Sequence, residues 1–157
     1  MTYPAKVMTV YIMGLFMTII DGTMGNVALP TMADDFGVPT TDIEWIAVGY
    51  LLTYAAVIPA AGWLGDRFGT KRVFTTALIA FVITSLACGL SQTLEQLIVF
   101  RVLQGIGAGL VTPVGAAMLY RAYSLEDRAK AAIGVLSVAV IAPAIGPMLG
   151  GILVDTV

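Results

Sequence analysis

The chain has no histidine and one cysteine, and only 11% of its 157 residues are charged. Cys88 stands alone inside an apolar run, so neither a disulfide framework nor a Cys/His metal site can be built. With no His, no second Cys and no serine in a triad setting, neither enzyme chemistry nor a metal or cofactor is expected. The scarcity of charge excludes more. Soluble domains carry about 25% charged residues, whereas here 59% of residues are hydrophobic and the mean hydropathy is +0.94. This is the composition of an all-α integral membrane protein whose first partner is the lipid bilayer. A net charge of -2 says little about ligands, because most titratable groups crowd into short loops, and nothing supports nucleic-acid binding.

The charges that remain divide the chain. Asp66, Arg67, Lys71 and Arg72 lie between an uncharged stretch from Trp45 to Gly65 and another from Val73 to Leu94. Each stretch can cross a bilayer, since about 20 residues at a rise of about 1.5 Å cover the roughly 30 Å hydrocarbon core. Reading the other gaps in the same way predicts five spans, at about 7–28, 43–64, 73–90, 94–120 and 131–154. None shows the polar face of an amphipathic globular helix. Lys6 and the apolar run after it resemble the start of a signal peptide, but Asp21 and Asn26-Val27-Ala28 make a poor cleavage site, so cleavage is not expected.

Lys6, then Arg67, Lys71 and Arg72, then Arg121, Arg128 and Lys130 alternate along the chain with loops holding Asp34, Asp35, Asp42, Glu44 and Glu95. The positive-inside rule places the basic loops and the N-terminus in the cytoplasm, with Asp155 at the outer end of the fifth span. Trp45, Tyr50 and Tyr120 fall near the expected interfaces. An odd number of spans ending just beyond Asp155 leads to the expectation that residues 1–157 are an incomplete N-terminal bundle.

Two ionisable residues lie inside spans. Asp21 interrupts the first and Arg101 the fourth, both about 9 to 10 Å from the expected outer end. A charge near the bilayer centre costs at least about 2.5 kcal/mol, so such residues face a cavity or each other. A proton-coupling or substrate-charge site at Asp21 and Arg101 is therefore expected. Met13, Met17 and Met24 share the helical face of Asp21, and thioethers beside one carboxylate suit a small lipophilic, cationic substrate. Met17 and Gln104 are expected to line its cavity. Gly105 and Gly109 form a small-residue seam that would let a neighbouring backbone approach. In the fifth span Gly134, Val138, Ala142, Gly146 and Gly150 form one mostly small stripe, and Pro143 and Pro147 predict a bend.

Four motifs in order resemble those of the major facilitator superfamily, drug:proton antiporter type, fourteen-helix branch, and the resemblance spans essentially the whole chain. Gly62-x-Leu64-Gly65-Asp66-Arg67-x-Gly69-x-Lys71-Arg72 is similar to the family's loop signature between helices two and three, departing from it at Gly65 and Thr70. Arg101-x-x-Gln104-Gly105-x-Gly107-Ala108 resembles its fourth-helix motif, which the family links to proton transfer. Gly146-Pro147-x-x-Gly150-Gly151 resembles the core of the fifth-helix antiporter motif, although Ala142 replaces its preceding glycine. Asp21-x-Thr23-x-x-Asn26-x-Ala28-Leu29-Pro30 resembles the first-helix motif of that branch.

The resemblance implies proton-coupled multidrug efflux by alternating access in a bacterial plasma (inner) membrane, with protons as partner. It implies that Asp21 exchanges the proton or helps bind a cationic substrate while Arg101 tunes it. Asp66, Arg67 and Lys71, within the turn that Gly62, Gly69 and Arg72 complete, would latch the cytoplasmic side. Gly146 and Pro147, with Gly150 and Gly151, would pack against a C-terminal bundle that the 157 residues lack. Transport by this polypeptide alone is accordingly not expected. Two other readings stay open: part of a facilitator-fold carrier for another small solute, and a truncated non-transport membrane partner.

Overall fold

The structure, a computed structural model, describes the backbone of residues 2–156 and the side chains of residues 2–152. The described residues form six helices: α1 (Tyr3–Phe36), α2 (Thr40–Ile43), α3 (Trp45–Phe68), α4 (Thr70–Gly89), α5 (Leu94–Ala122) and α6 (Arg128–Thr156). Five segments among them are long and apolar enough to cross a membrane, α2 and α3 counting together. Helix is what such sequences must form, because hydrocarbon offers no partner to a free N–H or C=O and a helix satisfies them internally. Asp155, expected at the outer end of the fifth span, lies outside the residues whose side chains are described.

Helix ends do not coincide with the ends of the charge-free runs. α1 continues eight residues beyond Ala28, through Pro30, Asp34 and Asp35. What stops it is Gly37, at φ 64°: its N–H bonds to the Asp34 carbonyl and that of Val38 to Ala33, at 3.1 and 3.0 Å, a Schellman closure. Charge limits the hydrocarbon crossing; it does not end a helix. At the other end of the bundle α3 and α4 are joined by Gly69 alone, at φ 87°, where a side chain would be strained. The Thr93 hydroxyl caps α5 by accepting from the Gln96 N–H at 3.3 Å.

α5 is the central helix, packed by α3, α4 and α1, while α6 lies chiefly against α1. Its glycines serve a different neighbour on each side. A Cβ at Gly105 or Gly109 would lie 2.5 Å from the carbonyl oxygen of Tyr50 or Tyr54 on α3, and one at Gly107 would lie 3.0 Å from the Ala77 carbonyl on α4. A Cβ at Gly115 would strike the ring of Tyr11 on α1. In lipid, where burial of apolar surface gives helices no reason to associate, such close backbone approach is the main source of cohesion. The inner core joins Tyr11, Leu15, Phe74, Val111 and Val114 from three helices.

The small stripe of α6 also faces a neighbour, and that neighbour is α1. Gly134 meets Met8, Gly146 meets Thr23, and a Cβ at Gly150 would lie 3.4 Å from Val27. The resemblance sets Gly146 and Pro147 against another bundle; within the described residues only Gly146 meets a neighbouring helix. Gly146 and Gly150 are buried on α1, Pro147 is exposed, and Gly151 has open space beside it. α6 continues as one helix through Pro143 and Pro147.

Candidate functional site

Asp21 comes from the middle of α1, Arg101 and Gln104 from one face of α5, and the packing of α1 on α5 brings them together. Arg101 Nη1 donates to Asp21 Oδ2 at 2.8 Å and to Gln104 Oε1 at 3.0 Å. Gln104 Nε2 donates to Asp21 Oδ1 at 2.9 Å, which closes a triangle. The three residue types are matched to it: the carboxylate only accepts, the guanidinium only donates, and the amide does one of each. Asp21 keeps 19% of its side-chain surface and Arg101 11%, while Gln104 is wholly buried. A small amount of access is thus left to the two charges and none to the amide that orients them.

Around this triangle stand residues that sequence reading did not single out for the site. The Arg101 guanidinium lies 5.8 Å from the centre of the Tyr50 ring, and the Cys88 thiol donates weakly to Gln104 Oε1 at 3.8 Å. Gly25, one turn after Asp21, gives the guanidinium its room: a Cβ there would lie 2.6 Å from Arg101 Nη2. Its place at i+4 from an intramembrane carboxylate was a readable signal, because both then share a face. Cys88 and Tyr50 carried none, since only helix crossing brings them near.

Two cavities flank the site. The larger, about 640 Å³, is lined by Asp21, Met24, Met32, Cys88 and Arg101 and runs toward Asp35 and Phe36 at the acidic end. The smaller, about 50 Å³, lies between α1 and α3. Arg101 and Gly25 line both; Asp21 lines only the larger. Met17 is exposed and borders neither, and Gln104 is a hydrogen-bonding residue behind the carboxylate. Thioethers of Met24 and Met32, with the acid of Asp21, give the larger cavity the character expected around Met17.

At the basic end, Arg121 Nη2 donates to Asp66 Oδ1 at 2.7 Å, tying the end of α3 to the end of α5. Arg67 lies over Trp63 and Phe68, at 5.7 and 5.8 Å. Lys71 and Arg72 are exposed and form no ion pair among the described residues, and a Cβ at Gly62 would meet nothing within 4 Å. Beyond α5, Asp127 accepts from Lys130 Nζ at 3.0 Å, which holds its carboxyl below the usual range.

Comparison with known proteins matches residues 11–157 to the Major Facilitator Superfamily. The chain is 40% identical over 142 residues to the "Putative multidrug resistance protein MdtD" of Klebsiella pneumoniae (strain 342), covering 90% of this chain and 30% of that protein. Its counterpart in Salmonella paratyphi B is 39% identical over 143 residues, 91% of this chain and 30% of its own length. That of Pectobacterium atrosepticum is 38% identical over 158 residues, 99% of this chain and 34% of its own. The chain therefore spans about a third of the length of these relatives. Kinship that runs without interruption from α1 to α6 leaves one assignment, and the chain belongs to the Major Facilitator Superfamily.

Proposed function

We propose that these residues form the N-terminal part of a proton-coupled multidrug exporter that works by alternating access. The observation that carries the reading is the Asp21–Arg101–Gln104 triangle, an ion pair in the middle of apolar helices with a cavity of about 640 Å³ on its carboxylate side. Buried charge at that depth is expensive and is kept where it moves charge or binds it. Asp21 carries the proton in one state and is ionised in the other, where Arg101 compensates it and a lipophilic cation competes for it. Gln104 positions both. Relatives named for multidrug resistance support a drug as cargo.

In this reading the basic end is cytoplasmic, the membrane is the bacterial plasma membrane, and Asp66, Arg67 and Lys71 meet a second bundle that closes the cavity from the other side. Asp66 is already held by Arg121, so forming that contact exchanges or extends an existing pair. Such a partnership supplies the two-bundle rocking that midplane sites require, and these 157 residues do not transport alone. The test is the reading frame beyond Val157, followed by efflux of a fluorescent lipophilic cation from cells expressing whatever it encodes. Proton-driven efflux lost in Asp21→Asn supports the exporter. Unchanged coupled efflux in that variant removes Asp21 from the mechanism and favours a carrier for another solute.

A further inference from the structure

Arg101 has five N–H donors and the structure uses two. Both hydrogens of Nη1 are taken, by Asp21 and Gln104, whereas Nε is buried without a partner and Nη2 makes no hydrogen bond among the described residues. A buried donor left unpaired costs about 1 to 3 kcal/mol, and a guanidinium is not kept in that state without something to receive its hydrogens. The unused donors are neighbours on one edge, the side that matches a planar oxygen acceptor. Arg101 also lines the cavity of about 50 Å³, together with Gly22, Gly25, Asn26, Leu29, Tyr50 and Leu51. That volume admits a head group of two or three heavy atoms. Asn26 and Leu51 are exposed, so the cavity opens outward past an apolar lip.

We propose that the Nε/Nη2 edge of Arg101 is a ligand subsite, distinct from the Asp21 cavity, that takes the carbonyl oxygen of an amphiphile whose apolar tail lies over Leu29 and Leu51. The proposal rests on the exporter reading for its use in transport, where it defines cargo by an acceptor as well as by a cation. Charge selects a neutral head. Asp21 and Arg101 together sum to zero, so an amide leaves the cluster neutral, whereas a carboxylate adds an uncompensated negative charge in low dielectric. A carboxylate is admitted only when Asp21 is neutral. Gly25 is then required twice, as room for Nη2 and as wall of the subsite.

The test uses the full chain in nanodiscs, with the arginine side chains labelled with ¹⁵N and the Nε–H resonance of Arg101 assigned by its loss in Arg101→Lys. Hexanamide, hexanoate and hexylammonium, which share one tail length, are the probes. The expected result is a saturable shift of that resonance with hexanamide that persists in Asp21→Asn, a shift with hexylammonium that acts through Asp21 and is lost in Asp21→Asn, and a shift with hexanoate at least about tenfold weaker in the native chain than in Asp21→Asn. Gly25→Ala should abolish the hexanamide effect; should that variant not fold, Leu51→Gln at the exposed lip should weaken it severalfold. A resonance unmoved by hexanamide, or a hexanamide shift that is lost in Asp21→Asn, overturns the subsite. If coupled efflux depends on Asp21 while hexanamide does nothing, the exporter stands and the subsite falls; saturable binding without Asp21-dependent efflux gives the reverse.

Discussion

Removing Asp21 should cost more than removing Asp21 and Arg101 together. At 2.8 Å and an effective dielectric constant of about 20, their attraction is about 6 kcal/mol, and taking two ions out of water costs several kcal/mol each, so the pair nets close to zero. Deleting one partner of a buried pair costs about 3 to 5 kcal/mol; side-chain exposures of 11% and 19% bring this to about 2 to 4 kcal/mol. The two single changes are not equal. Asp21→Asn strands a guanidinium that cannot lose its charge and whose Nε is already unpartnered. Arg101→Gln leaves a carboxylate that still accepts from Gln104 and can be neutralised by a proton. We expect losses of about 3 kcal/mol for Asp21→Asn, about 2 kcal/mol for Arg101→Gln and about 2 kcal/mol for the double variant. The assay is unfolding of the chain by dodecyl sulfate in mixed micelles, followed by helical circular dichroism. Losses that add to within about 0.5 kcal/mol would mean that the two residues act independently, and the triangle would lose its place at the centre of the site.

Other consequences follow from the packing. Gly105→Ala drives a methyl group to 2.5 Å from the Tyr50 carbonyl and should destabilise the chain by about 1 to 3 kcal/mol in the same titration, whereas Gly62→Ala, inside α3 with nothing within 4 Å of the added methyl, should cost nothing and gain up to about 1 kcal/mol. Gly69→Ala, at φ 87°, should cost about 1 to 2 kcal/mol through backbone strain; an unchanged midpoint would refute the one-residue turn. Because the Asp66–Arg121 pair is exposed, Asp66→Asn should shift stability by no more than about 1 kcal/mol. A large loss of coupled efflux in the whole transporter alongside that small shift would locate its value in the latch.

What the residues disclosed in advance is what a single chain can encode locally. Asp21 and Arg101 stood out because each breaks an apolar run, and the charges of the Gly62–Arg72 segment because they separate two such runs, although its turn is Gly69 alone. Their meeting was inferable from cost alone, since neither charge is stable in lipid unpaired. The Gly105–Gly109 seam named a close approach and found it at Tyr50 and Tyr54. Length was less legible: α1 runs to Phe36 because the backbone of Gly37 closes it, and hydropathy reports the hydrocarbon boundary instead. Partners were least legible. Spacing shows that Gly134, Gly146 and Gly150 share a face, yet only helix crossing makes that face meet Met8, Thr23 and Val27. Gly25 and Cys88 enter the site, and Arg121 finds Asp66, for the same tertiary reason.

The most direct measurement of the central claim is proton release on ligand binding. Tetraphenylphosphonium added to the purified whole protein that contains these residues, in weakly buffered detergent, should release protons saturably, and Asp21→Asn should release none. Equal release from the Asp21→Asn protein, or binding of the cation with no release from the native one, would contradict Asp21 as the site where drug and proton compete.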